Sequence, residues 1–107
     1  MKFKIKINKE TSFNDIRNEL ENLKKANIKA IPLNHIRKIT KFLEIEELSG
    51  KGSSIRFYHK LLIDHSYYRG YFQVHKIHKG GNIDEIRKSD FVKYLYPVLV
   101  VIIDLKA

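Results

Sequence analysis

Ser54 to His59 alternates polar with apolar side chains, and Tyr71 to His75 does the same. A period of two belongs to a half-buried strand, because successive side chains leave opposite faces of the pleat. Ile55 and Phe57 of the first segment, with Phe72 and Val74 of the second, are then assigned to a core, while Ser54, Arg56, Tyr58, Tyr71, Gln73 and His75 share the other face. Such a pattern fits an antiparallel sheet covered on one side and open on the other. Ile45 to Leu48 precedes the turn Ser49-Gly50-Lys51-Gly52-Ser53 and so forms a hairpin with the first strand. The connection from Lys60 to Gly70 is long and rich in Tyr, Asp and His, either a flap or a contact loop.

The flanking segments extend this frame. KFKIKIN, Lys2 to Asn8, sets Phe3, Ile5 and Ile7 against three lysines and reads as an N-terminal strand. Ser12 and Asp15 form a capping-box pair for a helix over about 12 to 26, with Phe13, Ile16, Leu20 and Leu23 on its apolar face and Asn27 closing it in the left-handed conformation. Pro32 is tolerated in the first turn of a second helix, whose stripe is Leu33, Ile36, Ile39 and Leu43 and whose solvent side carries Arg37, Lys38 and Lys41. Asn82 and Glu85 cap a third helix that buries Ile83, Ile86, Phe91, Tyr94 and Leu95 and stops at Pro97. Val98 to Ile103, mostly β-branched and apolar on both faces, reads as a covered C-terminal strand pairing with KFKIKIN. The fold class expected is therefore α+β: a small antiparallel sheet with helices on one face, in a single domain over 1–107.

The chain has 107 residues, a formal net charge of +9 and no Cys, which excludes disulfides, thiolate metal sites and Cys nucleophiles. Its longest aliphatic run, Val98 to Ile103, is far short of the roughly 20 residues a membrane helix needs, and KFKIKIN lacks the solid apolar stretch of a signal peptide. A soluble, cytoplasmic protein with no membrane partner is expected. The charge is concentrated: residues 51–79 hold six basic side chains against one acidic, interleaved with Tyr58, Tyr67, Tyr68, Tyr71 and four His. Cations among flat rings suit phosphate neutralisation and base stacking, so an RNA partner is expected. His75 and His78, three residues apart on a strand, point to opposite faces, and no third ligand is evident, so no metal is assigned.

The helix HIRKITKFL, the strand and turn EIEELSGKGSS, the strand IRFYH, then YFQVHKIHKGG and the helix IRKSDFVKYL form an ordered set. In that order, from Pro32 to Leu95, they resemble HicA, the toxin of a bacterial and archaeal toxin-antitoxin pair. The resemblance implies a core over 32–96 of helix, three strands and helix, similar to a double-stranded-RNA-binding domain, with 1–31 as an N-terminal strand and helix and 97–107 as a C-terminal strand. It also implies a metal-independent endoribonuclease acting on mRNA, with no cofactor, and a HicB-like antitoxin as protein partner. The family's Gly-Ser-His, whose His is the candidate catalytic group, corresponds to Gly52-Ser53-Ser54. A hydroxyl does not titrate near neutral pH as an imidazole does, so with Ser54 the chain is expected to be inactive. Ser54 is either a lost catalytic group or a deliberate replacement of a toxic enzyme's His.

The candidate catalytic set is thus Ser54, His75 and His78, the last matching the family's His before a Gly-containing turn. The candidate RNA contacts are Lys51, Arg56, Tyr58, Lys76 and Lys79. The alternative reading is a noncatalytic RNA-binding module using the same basic face. His59 and His78 have inward parity near strand ends and are candidate structural or rim groups. The segments outside 32–96 either mediate homo-oligomer contact or complete the sheet.

Overall fold

The structure is a computed structural model that describes residues 3, 5–48, 52–81 and 83–107. Helix α1, Phe13–Lys25, starts as its sequence dictates: Ser12 Oγ accepts from the Asp15 amide at 3.1 Å, and the Asp15 carboxylate accepts from the Ser12 amide at 2.9 Å. It buries Ile16, Leu20 and Leu23. Its end differs from expectation, because Ala26 leaves the helix in an extended conformation and Asn27 does not adopt positive φ. Strand β1, Ala30–Pro32, leads directly into α2, Leu33–Phe42, which buries Leu33, Ile36 and Ile39. Pro32 stands at the cap of α2, where the amide it lacks has no partner to lose. The far end of α2 is a Schellman turn, with Ile45 N–H donating to Thr40 O and Glu44 N–H to Lys41 O. Glu44 holds the left-handed position at φ 60°, a place that glycine usually takes.

The strands divide into two three-stranded antiparallel sheets. In the first, β2 (Glu46–Leu48), β3 (Ser54–Tyr58) and β4 (Tyr71–His75) lie in that order. The second has the order β1, β6, β5, where β5 is Ile77–His78 and β6 is Asp84–Arg87. The chain crosses from one sheet to the other at Lys76. The expected hairpin and returning strand are present, and the expected alternation holds: Ile55, Phe57, Phe72 and Val74 are buried. Between β4 and the last helices, however, the β5–β6 hairpin intervenes, so the order over 32–96 is not simply helix, three strands, helix. One apolar cluster takes in both sheets' inner faces, with Ile31 and Ile86 from the second.

Both terminal strands are corrected. Among the described residues of KFKIKIN, Phe3 and Ile5 to Asn8 form no strand; Phe3, Ile5 and Ile7 pack against the core, with the Phe3 ring edge-on to His35 at 5.4 Å. Alternation selects a buried side but supplies no neighbouring strand, and the expected neighbour is a helix. Val98 to Ile103 lies within α4, Tyr96–Lys106, where Val98, Leu99, Ile102 and Ile103 are buried at helical spacing. Burial in the core outweighs the β preference of its branched side chains. Residues from 1–31 and 97–107 therefore share the central core.

The third helix also starts later than expected. Its proposed cap Asn82 lies outside the described residues, Ile83 is exposed, and Asp84–Arg87 is β6. Helical turns begin with α3, Lys88–Asp90, widen into a π segment at Phe91–Leu95, and continue as α4. Pro97 does not end the helix. It sits in the first turn of α4, directly after the segment in which Tyr96 N–H reaches back five residues to Phe91 O. The missing proline N–H and the bulk of its ring disfavour a regular α turn there, and a π turn relieves both. Phe91 and Leu95 are buried as expected, but Tyr94 is turned outward.

Candidate nucleic-acid interface

The open face of the first sheet is set by register. Ser54 lies opposite His75, Arg56 opposite Gln73, and Tyr58 opposite Tyr71. Lys76 N–H donates to Ser53 O at 2.8 Å and His59 N–H to Gly70 O at 3.0 Å. These bonds make the odd-numbered β3 positions the hydrogen-bonded pairs, so the three open-face pairs are of the non-hydrogen-bonded kind, in which side chains stand closest. The Tyr58 and Tyr71 rings are 5.1 Å apart, and the Arg56 guanidinium lies 5.3 Å from the Tyr71 ring centre. Gly70, at φ 102°, makes room for this cluster: a Cβ there would stand 3.1 Å from the Tyr58 ring. Arg56, Tyr71, Gln73 and His75 are exposed, and Ser54 and Tyr58 half-buried. His75 Nδ1 is 3.5 Å from Ser53 Oγ. At the β2 edge, Glu46 stands opposite Tyr58 and Leu48 opposite Arg56.

The remaining site residues lie elsewhere. His78 belongs to the second sheet, where its Nδ1 is 2.7 Å from Asp84 Oδ1; Lys76 Nζ is 3.1 Å from Asp84 Oδ2, and Lys79 Nζ is 3.7 Å from Glu85. The hydrogen bond from His78, and next that from Lys76, hold the Asp84 carboxyl below its usual range. The sequence-derived set thus splits in two. Ser54, His75, Arg56 and Tyr58 share one face, while Lys76, His78 and Lys79 are engaged by carboxylates on the other sheet. Lys51 lies outside the described residues. Among those residues Arg56 has no carboxylate within 4.0 Å.

His59 is structural. It is 3% exposed, its Nδ1 accepts from the Leu61 amide at 3.1 Å, and its Nε2 therefore carries the proton given to Leu43 O at 3.0 Å. Burial pushes its pKa down, which keeps the ring neutral. His65 holds the following loop by accepting from the amides of Tyr67 and Tyr68. No group of three or more metal-ligating side chains occurs among the described residues, and no helix there is long and apolar enough to cross a membrane.

Two side chains that the sequence did not assign to the site join it: Lys93 and Tyr94. Both lie in the π segment, which packs against β4. With Tyr67, Tyr68, Tyr71 and Gln73 they line a cleft of about 300 Å³, and Gln73 and Tyr94 also border a smaller hollow of about 130 Å³ that reaches His75. A larger cavity of about 490 Å³, at the Tyr58 end of β3, is bordered by Glu44 and Glu46 together with Lys60 and Lys106, so its charges balance, and Lys106 is already paired with Glu44. Neither a family model, nor a curated protein, nor a solved structure matches this chain.

Proposed function

We propose that the protein is a HicA-like toxin-type chain that docks mRNA on the open face of the β2–β3–β4 sheet, with its cleavage step disabled by Ser54. The observation that carries this reading is the register: Ser54, in the place of the family His, stands directly across from His75 on an exposed face beside Arg56. Metal-independent cleavage needs a base to take the 2′-OH proton as the 2′ oxygen attacks phosphorus, and an acid to protonate the 5′ oxygen as its bond to phosphorus breaks. An imidazole at position 54 would make a cross-strand pair with His75, one ring for each proton. Arg56 would stabilise the charge that gathers on the phosphoryl oxygens. With Ser54, one of the two proton carriers is missing. His78, engaged by Asp84 on the second sheet, is left as a rim group. In the cytoplasm a HicB-like antitoxin with an acidic surface would cover the same face and exclude RNA.

The test is Ser54→His, assayed for cleavage of a single-stranded RNA and for growth arrest on expression. Gain of both is expected. If the folded variant binds RNA and does not cleave it, the protein is a noncatalytic RNA-binding module, a reading favoured by His75 having, among the described residues, a hydroxyl and no imidazole or carboxylate as its side-chain hydrogen-bond partner. That module would show a salt slope of about −3 to −5 in log affinity against log salt for roughly four to six phosphates. If the unaltered chain has no RNA affinity at physiological salt, the whole proposal falls.

A further inference from the structure

The cleft between β4, the loop after β3 and the π segment has no role in the chemistry at Ser54 and His75, yet it collects four of the chain's six tyrosines. Tyr67 and Tyr68 come from the loop, Tyr71 from β4, and Tyr94 from the π segment. Tyr67 is 81% exposed, and Tyr71 and Tyr94 are more than 40% exposed. Tyr67 meets Tyr68 edge-to-face, with centroids 5.0 Å apart, so the two rings do not cover each other's faces. Two cations stand against the rim: Lys93 is 5.2 Å from the Tyr94 ring centre and Arg56 is 5.3 Å from that of Tyr71. Neither has a carboxylate within 4.0 Å among the described residues.

We infer that this tyrosine cleft receives an unstacked base of single-stranded RNA, with Lys93 and Arg56 against the flanking phosphates. The inference rests on the RNA-binding reading above and specifies the form of RNA that the site takes. A tyrosine face stacks on a base only when that base has left its neighbours, and a duplex keeps its bases stacked inside. An apolar peptide would have no use for two cations without carboxylate partners, whereas a nucleotide brings a flat ring and an anion together. Gln73 stands between the cleft and the hollow that reaches His75. Its amide offers both donor and acceptor to a base edge. Gln73 and His75 are two residues apart on one strand, about 7 Å along it, so a base held at Gln73 sets its neighbouring phosphate near His75.

The chain has no Trp, so its intrinsic fluorescence is that of tyrosine, and four of its six tyrosines line the cleft. Titration with a single-stranded hexaribonucleotide should quench this emission saturably, and a fully paired RNA of the same base composition should bind at least about tenfold more weakly. Tyr94→Ala and Tyr67→Ala, both at exposed positions, should each weaken single-strand binding by about tenfold, as expected for the loss of a stacked base. Tyr94→Phe should restore it. If neither RNA binds, the RNA-binding reading fails and takes the cleft with it. If single strands bind but the two Ala variants match the parent, or the duplex binds equally well, the cleft assignment fails alone.

Discussion

The two sheets of this small protein treat their polar side chains in opposite ways. On the β1–β6–β5 sheet, cations meet carboxylates: Lys76 and His78 share Asp84, and Lys79 faces Glu85. On the open face of the β2–β3–β4 sheet, Arg56 rests on a tyrosine instead, and the side-chain hydrogen-bond partner of His75 among the described residues is a serine hydroxyl. A cation already matched to a carboxylate has little attraction left for a phosphate, because an incoming anion must displace a partner or share it. A cation lying on an aromatic face keeps its charge available. The difference teaches that nucleic-acid affinity follows unmatched charge, so a count of Lys and Arg along 51–79 overstates what is on offer. It also separates Lys76 and Lys79 from Arg56, which sequence reasoning had placed in one set.

The largest effects expected test whether the two sheets form one folding unit. Phe57 and Ile86 are both fully buried, one under each sheet, in a single cluster. Phe57→Ala should cost about 3–5 kcal/mol and Ile86→Ala about 2–5 kcal/mol. Thermal or denaturant unfolding should show one transition displaced in both variants; two transitions in either would divide the sheets. Next comes the charge contrast. Arg56→Ala should weaken RNA binding about tenfold and reduce the salt slope by about 1, whereas Lys76→Ala should leave both close to the parent values. Equal losses from the two substitutions would erase the distinction drawn between the sheets.

The sheets should also respond to acid in different windows. His59 anchors the end of β3 to the last turn of α2, and its folded pKa lies below the unfolded 6.5. The unfolded chain then binds the proton first, so the stability this ring contributes is fully present above pH 6.5 and declines as pH falls below it. Asp84, held below 3.8, contributes stability that stays in place until pH falls below that value. Amide protection factors, taken relative to intrinsic exchange at each pH, should therefore fall in β3 at mildly acid pH more than in β6, and His59→Gln should flatten the early response. The smallest effect belongs to Glu44, whose left-handed backbone suits glycine. Glu44→Gly should raise Tm by a few degrees, less whatever the exposed pair with Lys106 contributes.

Much of the first sheet was legible. A period of two in Ser54 to Tyr58 and Tyr71 to His75 specifies which side chains are covered, and antiparallel pairing then aligns the uncovered ones. The capping box of α1 was legible for a similar reason, since both of its hydrogen bonds form within one turn. The misreadings share a different cause. Val98 to Ile103 is apolar on every side, and such a run satisfies a covered strand and a buried helix equally, so its neighbours decide. Lys93 and Tyr94 escaped notice because a regular helical spacing places Tyr94 beside Phe91 and Leu95. The π turn before Pro97 adds a residue to the turn and rotates it outward.

From the order of its residues alone, this protein has an antiparallel hairpin, a third strand beside it, and one face of Arg, Tyr and His, because strand periodicity and cross-strand pairing are local and leave few choices. Tertiary packing alone settled the rest: the crossing at Lys76 into a second sheet, the burial of the C-terminal segment as a helix, and the meeting of Tyr94 with Tyr67, Tyr68 and Tyr71. Those outcomes depend on which surfaces find partners across the chain, and apolar patterning states that a surface must be covered without stating by what.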